Sequence, residues 1–102
     1  MRIADGKIVV SDDDEELSYE IDHITADFDE DIPNVIGVVR CIGITIESDA
    51  PTNIISEAET KIYNEIAHIS YEDIDGDGKY WEEAKRDINK ETGVDMSRIE
   101  IE

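Results

Sequence analysis

The run DIDGDGKYWEEA, residues 73–84, places three aspartates at alternate positions, Asp73, Asp75 and Asp77, then Gly78, and soon afterwards Glu82 and Glu83. Alternating carboxylates in a tight turn converge their oxygens on one point. A hard cation such as calcium asks for that arrangement, because it takes six to eight oxygen ligands and needs a glycine where the loop bends sharply. The same residues also make an ordinary polar turn between two helices, with Asp77 as a helix cap.

The run resembles the EF-hand-type calcium loop that dockerin modules also use. Asp73, Asp75, Asp77 and Gly78 fall on positions 1, 3, 5 and 6 of such a loop, and Tyr80 falls at position 8, where an apolar residue is expected. Position 12, which carries a bidentate glutamate in the family, is Ala84 here. Glu82 or Glu83 would have to close a shortened loop. That spacing is similar to the short variant called Excalibur, with Trp81 standing where that family has cysteine. The resemblance covers residues 73–84 alone and no second loop pairs with it. It implies one weak calcium ion, on Asp73, Asp75, Asp77, Glu82 and Glu83, as the expected cofactor.

Charge is the stronger signal. Twenty-eight acidic residues against nine basic ones leave a net −19 on 102 residues. Self-repulsion at that density destabilises a compact chain, so the fold that carries it expects solubility, counter-ions or a cationic partner in return. Nucleic acid and anionic membrane surfaces are excluded as direct partners. The acid flanks the chain's middle: residues 32–56 hold two acids and one base, and nearly all the rest lies before and after them.

Two runs concentrate it, Asp12, Asp13, Asp14, Glu15 and Glu16 in one, Asp27, Asp29, Glu30 and Asp31 in the other. If the strand between them folds back, they form a single negative face. In size and charge the chain resembles DNA-mimic inhibitors, such as the anti-restriction and anti-CRISPR proteins of phages, and the acidic immunity proteins that plug cationic nucleases. That resemblance implies a non-enzymatic inhibitor whose partner is a basic, nucleic-acid-binding protein, contacted through those nine residues. A solvated acidic surface adapted to salt is the plainer alternative.

The remaining candidates for chemistry are sparse. His23 and His68 lie in no Ser/His/Asp or Cys/His arrangement, and the single cysteine, Cys41, sits in an apolar run where a thiol is buried and inert. One cysteine permits no intrachain disulfide. GDGK at 76–79 lacks the spacing of a phosphate loop and its aspartates would repel phosphate. So small a domain leaves little room for a substrate cleft between paired carboxylates, and no enzyme is expected. The amino terminus lacks a signal-peptide pattern and no segment approaches a membrane span, so a cytoplasmic protein is expected, in the host cytoplasm if phage-encoded.

The elements that position these residues follow from periodicity. Asp5-Gly6 predicts a two-residue turn within a hairpin over 2–10, and SDDDEE at 11–16 reads as a connection. Leu17, Tyr19, Ile21 and His23 alternate on one face of a strand, and the shift of apolar parity after His23 to Ile24, Ala26 and Phe28 predicts a bulge near His23 and Ile24. Residues 27–34 read as a loop. Residues 35–47 read as the central strand, with Ile42, Ile44 and Ile46 on one face and Cys41 on the other. Asp49, Thr52 and Asn53 are available to cap a helix striped by Ile54, Ala58, Ile62, Ile66 and Ile69. A second helix fits 79–92, with Trp81, Ala84 and Ile88 inward and Gly93 as terminator. SRIEIE at 97–102 closes with Ile99 and Ile101 inward. The expected assembly is one α+β domain over 1–102, a mostly antiparallel sheet of four to five strands with both helices packed on one face.

Overall fold

The computed structural model describes residues 1–12, 15–30, 38–72 and 80–102, with the side chains of Asp12 and Glu30 excepted. Its strands are β1 (Arg2–Ala4), β2 (Lys7–Asp12), β3 (Glu15–Glu30), β4 (Val38–Ser48), β5 (Tyr71–Glu72) and β6 (Ile99–Ile101). Its helices are α1 (Thr52–Ile66) and α2 (Tyr80–Thr92), and a single 3-10 turn, Met96–Arg98, precedes β6. The expected α+β architecture holds, and β5 brings the described sheet to six strands.

The first hairpin turns as its sequence dictates. Asp5 and Gly6 both have positive φ, 55° and 73°, the backbone that a type I′ turn requires and that Asp-Gly supplies at little cost. Of the predicted connection at 11–16, residues 11–12 and 15–16 are strand, and 13–14 lie outside the described residues. Strand β2 runs on to Asp12, and β3 begins at Glu15, with Ser11 opposite Glu16 and Asp12 opposite Glu15. Nor is 27–30 a loop: β3 continues through Glu30, because Asp27 and Asp29 take the outward positions of a period-two pattern and leave Phe28 to the core.

The centre of the sheet is β3 rather than β4. Along Ile24–Ala26 it pairs with β4 on one edge and, in parallel, with β6 on the other. Nearer its start, Lys7–Asp12 of β2 pairs with it antiparallel. The predicted bulge is present but falls earlier, between Ile21 and His23, so that His23 leaves the face of Ile21 and stands on the other. A second irregularity falls between Asp27 and Phe28, where Gly43 and Cys41 are the partners and Ile42 is the extra residue on β4. That insertion reverses the parity read from the sequence: Cys41 is buried with Ile46, and Ile42 is 60% exposed.

One core joins the layers. Ile8, Ile21, Ile24, Ala26, Val39, Cys41, Ile46, Ile99 and Ile101 from the sheet meet Ala58, Ile62 and Ile66 of α1 and Tyr80, Ala84 and Ile88 of α2. The stripe of α2 therefore starts at Tyr80 instead of Trp81, which is 47% exposed; positions 80, 84 and 88 recur at four residues and share a face. Helix α1 begins differently from expectation too. Its cap is Pro51, whose carbonyl accepts from Ile54 and Ile55 nitrogens at 2.9 and 3.0 Å, with no capping side chain. Proline's fixed φ sets the extended entry, and Ser48 Oγ shapes the approach by donating to Glu20 O at 2.7 Å and accepting from Ala50 N at 3.2 Å.

The end of α2 is tied to the first hairpin. Gly6 N donates to Thr92 O at 2.8 Å, and Gly6 O accepts from Ile21 N at 3.0 Å. Gly93, at φ 75°, ends the helix as its position predicts. Buried Thr92 donates to Ile88 O and accepts from Val94 N, at 2.8 and 3.1 Å, so the helix terminus keeps its polar groups satisfied.

Candidate functional site

Within an antiparallel sheet, residues directly opposite one another share a face. Helices cover the inner face. The outer face, away from both helices, follows β3 as Glu16, Ser18 and Glu20, then, past the bulge at Asp22, as His23, Thr25, Asp27 and Asp29. Beside these stand Arg40, Gly43, Thr45 and Glu47 of β4 and Glu100 of β6. The arrangement is set by the core. Because Ile21, Ile24, Ala26 and Phe28 are drawn under the helices, the residues between them have only the solvent side left.

The two acidic runs do not meet. The strand between them stays extended, so Asp12, Glu15 and Glu16 lie at one end of β3 and Asp27, Asp29 and Glu30 at the other. At about 3.3 Å per residue, Glu16 and Asp27 are separated by about 36 Å. That distance exceeds the Debye length of about 8 Å at physiological salt, so the two ends hardly repel one another. Asp13, Asp14 and Asp31 lie outside the described residues. Glu16 Oε1 is bonded by Arg2 Nη2 at 3.1 Å, an exposed pair of small energetic weight. His23 Nε2 lies 3.4 Å from Glu100 Oε2 on the outer face. His68 is exposed beyond α1, its Nδ1 3.3 Å from Asn64 O.

The proposed calcium ligands divide in the same way. Asp73, Asp75 and Asp77 lie outside the described residues. Glu82 and Glu83 are exposed in the first turn of α2, and Ala84 is fully buried on its inner stripe. Among the described residues no group of three His, Cys, Asp or Glu side chains could hold a metal ion.

Sequence reasoning missed the aromatic cluster around this helix start. Phe28 packs edge-on against Tyr71 at 5.6 Å, Phe28 meets Tyr80 at 5.6 Å, and Tyr71 lies 6.1 Å from Tyr80. Such ring pairs add to burial when offset or edge-on. The Tyr71 hydroxyl donates to Asp87 Oδ2 at 2.5 Å. Burial, then that carboxylate, pushes the Tyr71 phenol well above its ordinary value. The pair spans sixteen residues and β5 is only Tyr71–Glu72, too short for periodicity to reveal. Burial likewise pushes the Cys41 thiol up, against a 3.3 Å bond from Sγ to Gly43 O.

Comparison with protein-family models, with curated proteins and with solved structures finds no match. Among the described residues no helix is long and apolar enough to cross a membrane.

Proposed function

We propose that this is a small non-enzymatic acidic protein that occupies the nucleic-acid-binding surface of a basic partner. A single observation carries the reading. The chain is an elongated body of 50 × 25 × 18 Å holding 28 acidic residues and a net −19. A DNA duplex 50 Å long presents about 29 phosphate charges, at one per roughly 1.7 Å of axis. The 28 carboxylates come near that number, and the net −19 is about two thirds of it. Strand β3 contributes by spreading its outward carboxylates along its length instead of gathering them in one patch.

Such complexes form quickly at low salt and weaken steeply as salt rises, since charge complementarity sets association rate and specificity. The test offers the immobilised chain a panel of purified DNA- and RNA-binding proteins at low salt. A mimic retains at least one member and releases it to competing duplex or RNA. Retention of none, or retention that nucleic acid does not displace, removes the reading.

A second reading, a calcium-binding module, is favoured by the Tyr71–Tyr80 contact, which holds together the two ends between which residues 73–79 run. Trp81 lies 6.4 Å from Tyr80 at the start of α2, so terbium bound nearby would be sensitised by it. Saturable terbium luminescence, displaced by calcium and abolished by Asp75→Ala, supports the site; a flat titration eliminates it.

A further inference from the structure

We propose that the open edge of β4 between Cys41 and Thr45, with the groove it forms against α1, takes an extended lysine- or arginine-bearing segment of a partner protein by strand addition.

The edge is delimited on both sides. Strand β5 pairs with β4 only at Val38 and Val39. At the other end Ile46 N donates to Glu59 Oε2 of α1 at 2.9 Å, so that amide points away from β3. Hydrogen-bonding direction alternates along an antiparallel strand; the Ile44 amide and carbonyl therefore point the same way, and among the described residues nothing pairs with them on that side. A window of about 17 Å remains, at about 3.4 Å per residue, and an unpaired strand edge is a template for another strand.

The groove beside this window is lined by Ile42, Gly43, Ile44, Glu59, Thr60 and Tyr63, with a volume of about 280 Å³. That is below the roughly 300–1,000 Å³ of small-molecule pockets; it suits one or two side chains of a segment whose backbone is held by the ladder. Ile42 is 60% exposed there, more than any other large apolar residue among those described. Natural edges are commonly blunted by lysine, proline or a bulge. Here the bulge at Ile42 presents an apolar side chain, and no lysine or proline lies between Cys41 and Thr45.

Charge decides the occupant. A second copy would set −19 against −19, whereas a basic segment meets Glu59 in the groove wall. Main-chain bonds supply affinity and alternate side chains supply choice, as in other strand-addition modes. The inference does not rest on nucleic-acid mimicry, because it concerns a different surface.

The test records amide spectra of the full chain with a synthetic octapeptide alternating lysine and valine, and with the same peptide N-methylated along one edge, which keeps its charge but cannot form the ladder. The expected result is saturable shifts at Ile42–Thr45, several-fold slower exchange at the Ile44 amide, and at least tenfold weaker binding of the methylated peptide. Ile42→Glu should weaken binding several-fold although it adds negative charge, and an unchanged melt shows that this surface variant is folded. Equal binding of both peptides, tighter binding by Ile42→Glu, shifts spread over the outer sheet face, or a self-associated chain that buries the edge would each overturn it. A failed pull-down with nucleic-acid-binding proteins leaves this readout untouched.

Discussion

Gly93 stands so close to Asp5 that a β-carbon placed on it would lie 2.7 Å from the Asp5 nitrogen and 2.8 Å from its Cα. The contact locks the turn of the first hairpin onto the end of α2, beside the Gly6 N to Thr92 O bond. It couples residues almost a whole chain length apart, and it requires glycine twice over, for space and for the positive φ of 75°.

Gly93→Ala is accordingly expected to destabilise the fold by more than the roughly 1–3 kcal/mol of a strained backbone alone. Neither the turn nor the helix end can yield without breaking hydrogen bonds. Gly6→Ala should cost less, since its nearest contact would be 3.4 Å and only the backbone preference opposes it. Urea midpoints of the two variants check the order.

The Tyr71–Asp87 bond predicts an alkaline weakness. The folded phenol is held protonated above its ordinary value, so the stability it contributes is fully present below the unfolded value of about 10 and is lost as pH rises beyond it. Ultraviolet titration should show one tyrosine resisting ionisation until the fold opens. Tyr71→Phe should flatten the decline in melting temperature above that pH.

Cys41 should resist alkylation. It is buried, and its thiol is pushed up, so thiolate is scarce and reagent access poor. Modification by iodoacetamide at neutral pH is expected to follow unfolding, accelerating steeply in urea. Rapid labelling of the folded chain would contradict this placement.

The outward carboxylates should matter to partners more than to the fold. Asp22→Asn with Asp27→Asn is expected to change stability by no more than about 0.5 kcal/mol per site. It should slow association with any basic partner and make that association less dependent on salt. Stopped-flow rates at two ionic strengths measure both quantities. A variant that binds as fast as the parent at low salt would remove these residues from the interface.

Much of this molecule was legible in the chain. Asp5-Gly6 specified its turn, Gly93 its helix end, and the change of apolar parity after His23 pointed to a bulge that the structure places just before that residue, because each is a local demand on backbone dihedrals or on a single face. The inward isoleucines of α1 and of Ile99–Ile101 followed from periods of 3.6 and 2. Where local signals misled, a longer-range contact had won. The acid at 11–12, 15–16 and 27–30 resembles loop, yet those residues are strand, because their alternate neighbours are drawn into the core. Ile42 looked inward until the insertion opposite Asp27 and Phe28 turned it out and Cys41 in.

The sequence by itself determined the charge, the two described helices and the α+β class, since composition and periodicity are properties of the chain alone. Only the tertiary structure decided that β3 is central, that β6 joins it in parallel, that the acidic runs stand at opposite ends of one extended strand, and that Tyr71 reaches Asp87 and Glu59 reaches Ile46. Each of these depends on which strand edges and helix faces meet, a choice made by packing one shared core and one that no local pattern encodes.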